Sequence, residues 1–186
     1  MNHIFFHHWQ DAADNLRSFM AMAPLITDSR ALYDAFVRAL QDFAAVNGLA
    51  CYMREGNSPY QLQCGNLAAA PPQVDDNVEV VLAMRHTRRI IDVAQYNKTL
   101  PGEYALPMLV RGQVNGFVLI GAKSQGVNFR PEELVLLAET VHEVGLDLES
   151  LRVVALERMN AELASEQTKL SLEIAELRLA VGGASR

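Results

Sequence analysis

Apolar positions along this 186-residue chain change their spacing several times, and each spacing predicts an element. From residue 3 to 22 they recur at alternating steps of four and three through Phe5, Trp9, Ala12, Leu16 and Phe19, the mark of a narrow seam on a helix. Pro24 ends that helix. Thr27, Asp28 and Ser29 offer caps for a second one over 29–47, with Leu32, Phe36, Leu40 and Phe43 on one side and Gly48 as its stop. Two strands are expected at 49–54 and 60–66 around a Gly56-Asn57-Ser58-Pro59 turn, then a loop over 68–73. A helix from Asp75 or Asp76 to His86 carries Val78, Val81 and Leu82, and is followed by a short strand at 89–94 and a connection at 95–103.

The clearest hairpin pairs 104–110 with 114–123 around Gly112-Gln113. Both strands are apolar on both faces: Leu106, Met108 and Val110 stand opposite Leu109, and Val118 and Ile120 opposite Phe117 and Leu119. A strand buried on both sides needs cover on both sides. The expected fold is therefore α+β, a largely antiparallel sheet sandwiched between helices.

From Phe129 to the C-terminus the pattern is that of one long helix whose later part carries Leu156, Leu163, Leu170 and Leu177 at an unbroken seven-residue spacing. With these leucines at d, the a positions are Val153, Asn160, Gln167, Ile174 and Val181. A buried Asn at a costs stability but fixes register and favours two parallel strands. Across such a pair Arg152 faces Glu157 and Glu173 faces Arg178, both of opposite sign. The ladder predicts a parallel homodimeric coiled coil, with Phe5, Trp9 and Leu16 of the N-terminal seam joining the interface. The alternative is a helix lying on its own domain.

With the long helix set aside, about 130 residues remain, enough for one ordinary domain. Half of the residues are hydrophobic and the formal net charge is −6, which argues for a real core and against a nucleic-acid footprint. No apolar run approaches the roughly 20 residues of a membrane span, and a cytoplasmic protein is expected. Cys51 and Cys64 lie equidistant from the centre of the first hairpin turn and so are candidates to face each other. A redox role is one reading; two buried apolar side chains is the other.

Other chemistry is sparse. Gly116, Gly121, Lys123 and Ser124 resemble a phosphate loop only loosely, and their strand-like surroundings cannot form a nest of amides. His3, His7 and Asp11 have metal-ligand spacing but read as a solvated helix face, and no metal site is expected. His142 has no sequence-local partner, and Arg85, His86, Arg88 and Arg89 suit a helix C-terminus. No acid/base pair, nucleophilic triad or cofactor motif can be assembled.

The run Tyr104-Ala-Leu-Pro-Met-Leu-Val110, the strand Gly112-Gln-Val-Asn-Gly-Phe-Val-Leu-Ile120 and the helix entry Phe129-Arg-Pro-Glu132-Glu133-Leu134 together resemble the GAF domain family of small-molecule sensor modules. The resemblance covers about residues 25 to 150. In cyclic-nucleotide-binding members Asn, Lys, Phe, Asp and Glu bracket this turn; here Lys123, Phe129 and Glu133 match, Ala122 replaces the Asn and Glu132 the Asp. That departure speaks against cyclic nucleotides and leaves a Lys123 to Glu132 ion pair as an expected clasp. There is no cysteine placed for bilin attachment or for the family's sulfoxide reductases.

The resemblance implies a ligand wall from the segment 75–104, with Met84, Tyr96, Asn97, Tyr104 and Leu106 as candidates; a filled core is the competing reading. The expected organisation is an N-terminal signalling helix (1–24), a GAF-like domain (25–150), a coiled-coil helix (151–181) and a disordered tail (182–186). The function implied is a homodimeric sensory or scaffolding module that passes signal through its terminal helices. A thiol-dependent reductase using Cys51 and Cys64, or a ligand-free interaction module, are the alternatives. No output element is recognisable, so the output lies on a separate protein or the sequence is part of a longer chain.

Overall fold

A computed structural model describes residues 2–96 and 99–183, and side chains from 9 to 182 within that span. Helix α1 (Asn2–Met22) ends in a 3-10 turn at Ala23–Leu25, where Pro24 stands near its start. Helix α2 (Ser29–Ala44) is capped by Asp28, whose carboxylate accepts the Ala31 N–H at 2.7 Å. Gly48 is not its stop. Ala45 takes the left-handed conformation at φ 49° and donates its N–H to the Gln41 carbonyl at 2.9 Å, because Asn47 is already held to the Ala122 carbonyl at the sheet edge. Gly48 serves a close crossing instead: a Cβ there would lie 2.9 Å from the Asn66 carbonyl oxygen.

Six strands form one antiparallel sheet in the order β3-β2-β1-β6-β5-β4. They are β1 (Leu49–Met53), β2 (Tyr60–Gly65), β3 (Gln73–Val74), β4 (Ile91–Asp92), β5 (Tyr104–Val110) and β6 (Gln113–Ile120). β3 falls where a loop was expected. β4 is shorter than the predicted 89–94 because Asp92 accepts the Ala94 N–H and turns the chain into a 3-10 helix, Val93–Gln95. The β5–β6 turn is Arg111-Gly112 rather than Gly112-Gln113: both residues have positive φ, 50° and 75°, as the right-handed twist of a two-residue hairpin requires.

Register assigns every strand residue to a face. Leu49, Cys51 and Met53 align with Ile120, Val118 and Gly116, and these with Tyr104, Leu106 and Met108. That face is covered by helices. Tyr33 of α2 lies beside Cys51 and Cys64, Gly145 of α4 (Pro131–Gly183) packs on Met108, and Phe19 of α1 stacks on Phe36 of α2 at 6.3 Å. The opposite face, with Ala50, Tyr52, Ala105, Phe117 and Leu119, is covered by α3 (Glu79–Thr87) and the segments around it. The sheet is thus sandwiched between helices, as its doubly apolar strands require.

Helix α3 starts at Glu79, later than expected, because Asp76 is engaged by Arg54 at 3.0 Å and by Arg85 at 3.3 Å and does not cap it. Its buried side is Val80, Val81 and Met84, whereas the predicted Leu82 is 49% exposed. The N-terminal half of α4 buries Leu136, Leu137, Val141, Val144 and Leu148. Internal contacts divide the chain into Met1–Glu149 and Ser150–Arg186, so α1 belongs with the domain body. No helix among the described residues is long and apolar enough to cross a membrane.

Gly116 is where β6 comes nearest to its neighbours: a Cβ there would press on Met53 Sδ and approach the Tyr52 carbonyl oxygen to 2.5 Å. Gly116→Ala is expected to destabilise the domain by about 1–3 kcal/mol through overpacking. Urea unfolding followed by circular dichroism measures this, with a loss below a few tenths of a kcal/mol contradicting the packing described.

Candidate functional site

The predicted ligand wall does not converge. Met84 is fully buried on the α3 side of the sheet, and Tyr96 packs partly buried against the same cluster. Tyr104 and Leu106 lie on the other side, aligned with Ile120 and Val118. Tyr104 meets Phe129 edge-on at 5.5 Å, and Leu106 is fully buried. Side chains alternate along a strand, so on β5 it is Ala105, together with Leu109 beyond the register shift at Met108, that packs on the α3 side. Asn97 lies outside the described residues.

The α3 side is filled by aromatic rings. Tyr52 stacks on Phe117 at 4.9 Å and Tyr60 meets it edge-on at 5.1 Å. Both hydroxyls donate to carbonyls at 2.8 Å, Tyr52 to Pro71 and Tyr60 to Val114, so both protons are already engaged within the chain. Burial pushes the Tyr52 hydroxyl pKa up to about 12 and raises that of Tyr60 as well. Arg54 closes this end, with its guanidinium 5.1 Å from the Tyr60 ring centroid and bonded to both oxygens of Asp76.

A cavity of about 390 Å³ opens further along the connecting segment, lined by Ala69, Val93, Ala94, Thr99, Leu100, Pro101 and Gly102. Its size is within the range of small-molecule sites. Sequence reasoning placed ligand contacts in this segment but chose Tyr96 and Asn97 within it. The lining residues are small and carry little pattern; Pro101-Gly102 was the available signal.

The clasp before α4 is real but uses the other glutamate. Lys123 Nζ donates to both carboxylate oxygens of Glu133 at 2.7 Å, with side chains only 11% and 9% exposed. Glu132 is exposed. The reason is helix geometry: Glu133 stands at the third position of α4, where its carboxylate reaches back to accept the Arg130 N–H at 2.8 Å. Lys123 also sits 5.1 Å over the Phe129 ring, which in turn meets Tyr104.

Cys51 and Cys64 are register partners on β1 and β2, as their equal distance from the turn predicted. Both are free; Cys51 is buried and Cys64 half-buried. The Cys51 thiol pKa is held well up by its hydrogen bond to Cys64 and by burial, and Tyr33 is raised by burial and by the two sulfurs.

Of the predicted seam residues, Leu16 is 2% exposed and is covered within its own chain, Trp9 is half-buried, and the side chain of Phe5 lies outside the described residues. The ladder is different. Leu156, Leu163, Leu170 and Leu177 are 44, 57, 59 and 65% exposed, and Val153, Asn160, Gln167 and Ile174 are exposed beside them. Residues 182 and 183 continue the helix, and 184–186 lie outside the described residues.

No protein-family model matches the sequence, and no curated protein matches it either. Solved structures do. The GAF domain of a phosphoenolpyruvate-protein phosphotransferase from Coxiella burnetii superposes with a TM-score of 0.64 at 10% identity, covering 80% of this chain and 98% of that one. The corresponding Acinetobacter domain gives 0.61 at 18% identity, over 83% and 98%. The fold is that of a GAF domain. A free methionine-R-sulfoxide reductase from Neisseria meningitidis, solved with its substrate, has the same fold at a TM-score of 0.60 and 12% identity, over 75% and 89%. At these identities the likeness concerns the GAF fold and not an activity.

Removal of the clasp carboxylate should separate the two glutamates. Glu133→Ala strands the nearly buried Lys123 ammonium and the Arg130 N–H, at an expected cost of roughly 3 kcal/mol. Glu132→Ala should stay within about 0.5 kcal/mol of the parent. Equal losses in thermal or urea unfolding would mean that the clasp does not hold the entry to α4.

Proposed function

We propose that this GAF domain is a regulatory module that works as a homodimer, joined in parallel along residues 153–181. The observation that carries the reading is the exposed ladder of α4, where every leucine of the seven-residue repeat is at least 44% exposed in the single chain. A helix standing alone in water gains little from such a stripe, whereas a second copy buries it. Self-pairing suits the charges too, since Arg152 meets Glu157 and Glu173 meets Arg178 in the parallel register. Signal would pass as a small rotation or shift of the terminal helices, since a packed seam has discrete arrangements.

The neighbours' descriptions include GAF domains of phosphotransferases and a reductase, so the fold is compatible with regulation and with catalysis. The chain's own residues favour regulation. Cys51 is wholly buried, so a substrate from solvent does not reach its sulfur.

Light scattering at tens of micromolar should give twice the 20.6 kDa chain mass, and a monomer mass would end this reading. Asn160→Ile removes the polar register lock and should tighten the dimer or raise its order. An unchanged association state would place the seam elsewhere.

A second reading, a ligand-bearing sensor, is favoured by the cavity lined by Val93, Thr99, Leu100 and Gly102. The aromatic filling of the α3 side supports the ligand-free scaffold instead. Native mass spectrometry of freshly purified protein separates the two. The scaffold gives the bare dimer mass, and a discrete added mass that is lost in Gly102→Trp would favour the sensor.

A further inference from the structure

We propose that Cys51 and Cys64 form a reversible disulfide, making the crevice between α2 and the end of β2 a site of thiol oxidation. The two residues are direct partners across adjacent antiparallel strands. Regular partners of this kind have Cα atoms about 4.5–5.5 Å apart, inside the roughly 4.4–6.8 Å that a disulfide accepts; here the register shifts just after Cys51, between Cys51 and Tyr52. Each thiol lies close enough to feel the other electrostatically, and Tyr33 is close to both. Neither strand has to move far to be joined.

The two thiols differ in access, which sets the order of events. Cys64 is half-buried and lines an open crevice of about 450 Å³ with Asp34, Val37, Arg38, Gly65 and Asn66. Cys51 lies beneath α2 with no exposed surface. A hydroperoxide entering the crevice therefore meets Cys64 first. The Cys64 sulfur displaces water or an alcohol from the peroxide O–O bond and becomes a sulfenic acid, a two-electron oxidation of sulfur matched by reduction of the peroxide. The adjacent Cys51 sulfur then attacks Cys64, forming the S–S bond and releasing the hydroxyl as water with the Cys51 proton. A small dithiol reductant returns both sulfurs to thiols by exchange.

The buried partner gives the pair its reversibility. A solitary exposed thiol proceeds to sulfinic acid, whereas a resolving thiol in contact captures the sulfenic acid before a second oxidation. Tyr33 of α2 lies close to both sulfurs, so closing the bond alters packing under a helix of the domain body as well as between two strands.

The experiment uses the full chain treated with dilute hydrogen peroxide, then alkylated under denaturing conditions and digested with trypsin. Arg54 lies between the two cysteines, so cleavage there places them on separate peptides. The expected product is one linked peptide pair within a single chain, lost on addition of dithiothreitol. Cys51→Ala should leave Cys64 as a sulfenic acid trapped by dimedone, and Cys64→Ser should leave Cys51 unmodified at the same dose. Cys64 sulfinic acid with Cys51 still free in the parent protein would overturn the proposal, as would a disulfide found only between chains. The parent measurement stands even where a variant fails to fold.

Discussion

The rest of the domain depends on two central strands that are apolar on both faces. β1 is buried at all five positions, and β6 is buried from Gly116 to Ile120. Such strands cannot face water on either side, so the chain must supply two covers. It does so unequally: α1, α2 and the first half of α4 lie on one face, and α3 with irregular segments on the other. Crevices open on both sides, one in the irregular cover at Val93 and Leu100 and one beside α2 at Cys64.

This constraint was legible in the sequence because it is written in consecutive residues. Met108 beside Leu109, and Phe117 beside Val118, require no knowledge of distant contacts. The leucine repeat and the Cys51–Cys64 alignment were legible for the same reason: spacing and distance from a turn are local quantities. Asp28 could be read as a cap because N-cap chemistry involves only the next three residues.

Features decided by long-range geometry were not legible. Tyr104 and Leu106 follow the segment that crosses the sheet, yet strand alternation and pairing with Ile120 and Val118 turn them to the helix side. Asp76 looked like a helix cap, but Arg54 and Arg85 engage it from elsewhere in the chain. The clasp shows how fine the distinction can be. Glu132 and Glu133 are adjacent and chemically equivalent, and only the rotation of about 100° per residue around α4 decides which one returns to Lys123 and the Arg130 N–H. The N-terminal stripe had a seam-like spacing, but its Leu16 is covered by its own chain, because a stripe does not say whose surface it meets.

Helix α4 carries two apolar patterns under different demands. Over Leu137, Val141, Val144 and Leu148 the steps alternate four, three and four, and these side chains are buried within the domain, where Gly145 meets Met108. From Leu156 onward the step is a strict seven, which a straight helix cannot keep on one line because its own period drifts by about 20° per heptad. Only a left-handed supercoil with another helix absorbs that drift. The strict repeat would thus have no use for a lone helix, and it begins beyond the last residue that the domain buries. Beyond Leu148 the repeat changes phase rather than period, and Leu156, Leu163, Leu170 and Leu177 are exposed in the single chain, which leaves them for another surface.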